Sequence, residues 1–252
     1  PESARLAWQI MAERTGDVAA FIPVSNYYSR LIRDHLHLGP ERFHVIPVGI
    51  NVEGYEEADV SADSPVIGYL SRMMESLGLE VLVDAFTVLK KSGKFNKLKL
   101  KVMGGHTPDD VPFLNRLKRK IVDAGLSQDI KFFDGFDRVG RRAFLKSLSV
   151  MSVPLKNPEA SGLFMLEALA CGVPSVLPKI GAFPELIEET GGGICYEPND
   201  APALARALEG LLADFGRIRQ MGRTGRIAVN QKFNVKSTAG SLLEVYEKCI
   251  NG

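Results

Sequence analysis

Short apolar runs alternate along this chain with longer segments in which apolar residues recur every three to four positions. PVIGYL (65–70), LKLKVMG (98–104), IKFF (130–133), SVMSVPL (149–155), PSVLP (174–178) and GICY (193–196) read as strands. Segments 77–92, 109–124, 139–147, 162–171 and 182–189 read as the helices between them. The runs are mostly apolar throughout, as strands covered on both faces must be. Strand–helix alternation of this kind predicts an α/β fold: a Rossmann-like parallel sheet with helices on both faces and right-handed crossovers. Upstream, VAAFIPVS (18–25) and FHVIPVGI (43–50) add two strand candidates. They flank a helix that Ser25 or Asn26 can cap and that runs to about Leu36. Residues 3–13 read as an amphipathic helix, so the chain opens as though entered mid-domain. The last third is helical, over 201–214, 216–230 and 235–250. Asn51 to Pro65, NVEGYEEADVSADSP, is polar and acidic and reads as a linker between domains.

Composition narrows the function classes. The 252 residues suffice for one or two domains with a large core, and 31 basic against 30 acidic residues leave a net charge of +1. No global field therefore favours nucleic acid or anionic lipid. No signal-peptide pattern opens the sequence, and no apolar run approaches the ~18 residues of a membrane span. An inserted helix is not expected, whereas peripheral membrane contact stays open. Cys171, Cys195 and Cys249 are too few and too widely spaced for a disulfide framework or a zinc site. They read as buried free thiols of a reducing, cytoplasmic compartment.

In a parallel sheet of this type, ligands bind where strand ends lead into helix N-termini. One such junction stands out. EASGLFMLEALACGVPSVLP (159–178) places Glu167 inside an otherwise apolar helix, with Glu159 on the loop before it. Gly162 would let a ligand approach the backbone closely. The first-turn N–H groups near Leu163 and Phe164 lack intrahelical partners and can receive a phosphate. A buried carboxylate without partners is costly, and a ribose diol offers two O–H donors to it. The alternative is an internal partner for Glu167, an Arg or a backbone N–H, with Glu159 an exposed loop carboxylate.

Other features carry blander readings. His106 reads as a solvent-facing loop residue, and the histidines show no metal-ligand spacing. Asp134–Asp137 reads as a turn, Asp109-Asp110 as a helix N-terminus, and Gly191–Gly193 as a turn before a strand. The lysine clusters at 90–97 and 118–120 read as solvated faces, with docking on anionic lipid as the alternative. Trp8, with Leu6, Ile10 and Met11, is expected to pack on residues outside this sequence.

The Glu159–Val176 segment resembles the signature of retaining glycosyltransferases of family 4, E-G-F-G-L-x-x-x-E-A-M-A-C-G-x-P-V-V, in which two glutamates flank seven residues. G-A-F-P-E-L-I (181–187) and G-G-I-C-Y-E-P-N-D (192–200) are similar to two further motifs of that family. V-I-G-Y-L-S-R (66–72), K-V-M-G-G (101–105), I-K-F-F-D-G-F (130–136), F-I-P-V-S-N-Y-Y (21–28) and F-N-V-K-S (233–237) follow its pattern in order. The resemblance implies the C-terminal half of a GT-B fold. Residues 1–60 would be the remnant of an N-terminal Rossmann-like domain with its linker. Residues 61–230 would be the nucleotide-sugar-binding domain, and 231–252 a helix packing back toward the N-terminal domain. The implied activity is transfer of a hexose, with retention, from a nucleoside-diphosphate sugar to a carbohydrate or lipid-linked acceptor. No metal or cofactor is implied, and the rest of the N-terminal domain is the implied partner.

Carried over by position, Glu159 would contact the donor sugar and Arg72 would neutralise the diphosphate. Glu167 would hold the ribose, and Ser161, Gly162 and Leu163 would take phosphate oxygens. Asp134, Gly135, Phe136 and Gly104 would line the base side. The chain departs from the pattern at Leu77, where the family has a lysine, and at Ala160-Ser161, where it has Gly-Phe. The family's N-terminal glycine-rich loop and active-site histidine have no counterpart here. Those departures favour a second reading, a degenerate homologue that binds nucleotide or sugar without transferring it. A GT-B epimerase or phosphorylase ranks third.

Overall fold

Six of the apolar runs form strands: β1 (Val66–Leu70), β2 (Lys99–Gly104), β3 (Ile130–Asp134), β4 (Val150–Met151), β5 (Ser175–Pro178) and β6 (Gly193–Tyr196). In the computed structural model, which describes residues 2–135 and 137–251, they pair in the order β3-β2-β1-β4-β5-β6, every pair parallel. Side chains alternate faces along a strand. Because Ile67 through Leu70 are all buried, both faces of the central strand are covered. The α/β, Rossmann-like parallel fold is therefore the one that the alternation predicts.

Ten helices connect and cover the strands among the described residues. They are α1 (Glu2–Glu13), α2 (Asn26–Leu36), α3 (Leu79–Lys91), α4 (Val111–Asp123), α5 (Arg138–Lys146), α6 (Leu163–Ala170), α7 (Phe183–Thr190), α8 (Ala201–Leu212), α9 (Phe215–Lys232) and α10 (Val235–Asn251). Their starts follow local chemistry. Ser25, Asp137, Asp200 and Asp214 each accept a first-turn N–H with the side chain. Thr107 and Asp110 form a reciprocal capping box on the turn that opens α4, so Asp109-Asp110 does mark a helix N-terminus. The core is continuous: Leu82, Phe86 and Leu89 of α3, Leu204, Leu208 and Leu211 of α8, and Ile218 and Val229 of α9 join the sheet residues in one cluster. No helix among the described residues is long and apolar enough to cross a membrane.

Four expectations need correction. The run 149–155 yields only the two-residue β4, although Ser152 N–H still reaches Gly68 O at 2.9 Å. Pro154 has no N–H to extend the ladder. The upstream runs 18–25 and 43–50 are not strands. They lie parallel, with one bridge from Phe21 to Phe43 and N–H donors from Phe21, His44 and Ile46; a further isolated bridge joins Ile50 to Asn234, and among the described residues no sheet forms there. Segment 51–65 is not a loose linker. Tyr55 is buried, Ala58 N–H bonds Cys171 O at 2.8 Å, and Arg142, Lys146 and Arg226 hold Glu53, Glu56 and Tyr55 from α5 and α9. Finally, only Cys171 of the three thiols is buried, where desolvation pushes it up to about 12; Cys249 is exposed.

The remaining segments pack on one another. Trp8 of α1 stacks on His35 of α2 at 4.4 Å, while Leu6, Ile10 and Met11 stay exposed. α10 closes on the 45–50 segment, where Thr238 donates to Pro47 O at 2.9 Å and Val235 N–H to Ile50 O at 3.1 Å. Three of the six lysines in the two clusters are ion-paired within the fold. Lys90 meets Asp129, Lys94 meets Glu209, and Lys120 meets both Glu80 and Asp84.

The strand order reverses direction between β1 and β4, which leaves a crevice at their carboxyl ends. The loops there are stitched together. Lys156 N–H donates to Ser76 O at 3.1 Å and Met73 N–H to Gly105 O at 2.9 Å. Gly78 has φ +76° and lies so close that an added Cβ would stand 1.8 Å from Pro154 O. A Gly78→Ala variant therefore combines left-handed strain with a backbone clash. We expect it to cost about 3 kcal/mol, lowering the thermal midpoint by roughly 6–12 °C in a calorimetric scan. Asp110 gives a second expectation. The Thr107 backbone N–H and the Arg72 guanidinium hold its carboxyl below the ordinary carboxylate range. Its contribution is complete above the unfolded-state value and is lost as pH falls through the depressed folded one. In a pH series of melts, Asp110→Asn should lie below the wild type at neutral pH and converge with it in acid.

Candidate nucleotide-sugar site

Glu159, Ser161, Gly162 and Leu163 lie together at the crevice, on the loop from β4 into α6. Gly162 has φ +64°, ψ +42° and opens the helix. The space its Cβ would fill is taken by Leu186 Cδ2 and Phe183 Cε1, each at 3.2 Å. Glycine at this position serves the packing of α6 on α7. Helical bonding begins at Met165 N–H, which donates to Gly162 O at 2.9 Å. The N–H groups of Leu163 and Phe164 precede it and have no carbonyl to reach within the helix. The Leu163 side chain is exposed.

Glu159 is held by its backbone. Its carbonyl accepts Ala182 N–H at 2.9 Å, and its side-chain Oε1 stands 3.4 Å from Ser161 N and 3.5 Å from Ser161 Oγ. The carboxylate thus folds back toward the mouth of α6. Glu167, one turn inside, is not without partners. Tyr55 Oη donates to its Oε1 at 2.7 Å, and Arg141 Nη2 of α5 stands 3.2 Å from the same oxygen. The expectation of an unpaired carboxylate is corrected in favour of the internal-partner alternative. Both donors come from segments far away in sequence, so helical periodicity could not reveal them.

Arg72 follows β1, as expected, but it does not face the crevice alone. Its Nε and Nη2 donate to Asp110 Oδ2 at 3.1 and 2.9 Å, and Nη2 also donates to Thr107 Oγ1 at 2.8 Å. One carboxylate, largely buried, offsets that charge. Leu77, where the resemblance expects a lysine, packs half-buried against the core and adds no charge. Lys156, on the loop after β4, stands 3.9 Å from Glu75, which Arg116 holds at 3.1 Å from the other side.

Gly104 ends β2 directly beside Asp134 at the end of β3. Asp134 and Gly135 are exposed, and Asp137 caps α5 by accepting Gly140 N–H at 2.8 Å, a structural use that matches a turn. Phe136 lies outside the described residues. His106 is exposed on the loop after β2. Among the described residues no three His, Cys, Asp or Glu side chains converge as a metal-binding group.

Several residues of the site were not anticipated. Tyr55 is buried beneath the Arg142 guanidinium, 5.2 Å above its ring. Burial, then the bond to Glu167, raises its hydroxyl well above the ordinary tyrosine range. Arg141 Nε is buried and has no partner among the described residues. On the opposite wall a small cavity runs between the α2 N-terminus and α7, lined by Ser25, Asn26, Ala160, Ser161, Glu185 and Glu189. Burial and the neighbouring Glu185 push the Glu189 carboxyl up. The i,i+4 spacing of these two glutamates was a legible signal for that wall.

Comparison with known proteins agrees with the fold. The chain is 24% identical over 222 residues to a D-inositol 3-phosphate glycosyltransferase of Jonesia denitrificans, covering 83% of this chain and 52% of that protein. It is 30% identical over 170 residues to a GDP-mannose-dependent alpha-(1-6)-phosphatidylinositol monomannoside mannosyltransferase of Mycolicibacterium smegmatis, covering 65% and 43%. The chain thus spans about half the length of the curated relatives it matches. Among solved structures, sucrose-phosphate synthase of Thermosynechococcus elongatus superposes with a TM-score of 0.82 at 25% identity, over 97% of this chain and 61% of that one. The profile of Glycosyl transferases group 1 matches residues 55–227, which contain every strand of the sheet and the whole crevice between β1 and β4. The chain belongs to the Glycosyl transferases group 1 family.

Proposed function

We propose that the chain is the donor-binding part of a retaining hexosyltransferase of family 4. It would move a hexose from a nucleoside-diphosphate sugar to a carbohydrate or lipid-linked acceptor, without a metal ion, in the cytoplasm or at a membrane surface. The observation that carries this reading is the α6 junction. One short loop presents a carboxylate, two unbonded N–H groups and, a turn further in, a second carboxylate, all at the crevice where the sheet reverses direction. A relative whose name specifies GDP-mannose supports an activated-sugar donor.

Each group then has a chemical task. The Leu163 and Phe164 N–H groups, with Ser161 and the positive end of α6, receive the diphosphate as it departs with growing negative charge. Glu159 accepts hydroxyl protons of the sugar. Glu167 accepts from the ribose, and the unpartnered Arg141 Nε is a second donor toward the same end of the ligand. Asp134, Gly135, Phe136 and Gly104 border the base. The acceptor enters along the wall formed by Ser25, Asn26, Glu185 and Glu189. A second reading, nucleotide binding without transfer, is favoured by the charge balance, because Arg72 is tied to Asp110 and Leu77 is apolar.

Thermal unfolding with UDP, GDP and ADP and their sugar conjugates tests the site. A ligand at about 100 times its dissociation constant adds roughly 2.7 kcal/mol, on the order of 5–10 °C for a chain of this size. We expect such a shift with one nucleotide, lost in Glu167→Ala. Failure of every nucleotide to raise the midpoint would overturn the donor-site reading. Binding by the complete protein, without sugar transfer in a product assay, would select the second reading.

A further inference from the structure

The proposed ribose contact depends on a carboxylate that already has two protein partners, the Tyr55 hydroxyl as hydrogen-bond donor and Arg141 as ion-pair partner. Both converge on the same oxygen: Tyr55 Oη at 2.7 Å and Arg141 Nη2 at 3.2 Å from Glu167 Oε1. Oε2 has no partner among the described residues. Arg141 in turn uses only one terminal nitrogen, and its Nε is buried and unpartnered. Arginine and carboxylate prefer to close side-on, with two parallel N–H···O bonds. Here that closure would bring Nε onto Oε2 and use up the oxygen a ligand needs. The hydroxyl of Tyr55 competes for Oε1 and keeps the pair from closing.

We propose that Tyr55 is a positioning residue for nucleotide selectivity: its hydroxyl holds Glu167 off Arg141 and thereby keeps Oε2 open to a ribose hydroxyl. Tyr55 is itself fixed. Its ring is buried under Arg142, and its carbonyl accepts Arg226 Nη2 at 3.3 Å. The segment that carries it is fastened to the end of α6 through Ala58 and Cys171. The hydroxyl thus arrives from a rigid strap. Removing it leaves Arg141 as the remaining protein donor to Glu167, and the ion pair closes. The inference rests on the reading of Glu167 as the ribose ligand.

The test compares the chain with Tyr55→Phe and Glu167→Ala. The probe is whichever of UDP, GDP and ADP binds, together with its 2′,3′-dideoxy form. Dissociation constants come from calorimetric titration. We expect the wild type to prefer the ribonucleotide by on the order of tenfold, the size of one hydrogen bond to a charged group. Tyr55→Phe should reduce that preference to less than about twofold, as should Glu167→Ala, with affinity for the dideoxy form unchanged. Phenylalanine retains the buried ring and its stack with Arg142, and unchanged dideoxy binding reports an intact site, so general damage cannot imitate the result. A preference that survives in Tyr55→Phe but disappears in Glu167→Ala would overturn the role of Tyr55 and leave the ribose reading standing. A wild type with no preference, or with no nucleotide binding, would overturn both.

Discussion

The crevice exists because two loops that follow neighbouring strands diverge and yet remain bonded to each other. β1 and β4 pair in parallel, and the crossovers that leave them run to opposite sides of the sheet order. Lys156 N–H on Ser76 O and the contact of Gly78 with Pro154 O fix the spacing between the two loops. Everything proposed for the ligand hangs from that seam. The β1 loop carries Arg72, and the β4 loop carries Glu159, Ser161 and the mouth of α6. A left-handed glycine at 78 and another at 162 are local requirements of the seam and of the α6–α7 contact.

Charge at the crevice is set by pairing more than by residue count. Arg72 brings Asp110 with it, and Lys156 shares Glu75 with Arg116. Glu167 meets Arg141. Under the proposed reading, a diphosphate received there would rely heavily on backbone dipoles, which need no counter-charge and do not reorganise as the leaving group develops charge. The same pairing applies to half of the lysines in the clusters at 90–97 and 118–120: Lys90, Lys94 and Lys120 meet carboxylates of the fold. A lipid surface would have to compete with those partners.

The strap 51–58 shows how composition can mislead. Its sequence is acidic and polar, which reads as a solvated linker. Lys146 and Arg226 meet the carboxylates of Glu56 and Glu57, and Arg142 and Arg226 bond the carbonyls of Glu53 and Tyr55 across 89 and 171 residues of chain. The one aromatic residue within the segment, Tyr55, turns inward and touches the most distinctive carboxylate of the site. A polar segment becomes part of the structure when its partners are fixed elsewhere, and only the assembled molecule displays them.

What the sequence by itself determined is local. Apolar runs bounded by glycine, proline and polar residues specified the six strands to within a few residues, because a strand covered on both faces tolerates little else. Ser25 and Asp109-Asp110 announced helix starts, because a short acceptor side chain must meet first-turn N–H groups. The spacing of Glu159 and Glu167 across a glycine-opened helix pointed to the crevice. Tertiary structure alone decided what each charge meets. Tyr55 and Glu167 are 112 residues apart, and Arg72 and Asp110 are 38 apart. Backbone geometry acts between near neighbours and leaves a periodic trace in the sequence. Ion pairs and buried hydrogen bonds form between whichever loops the sheet order brings together, and no period records them.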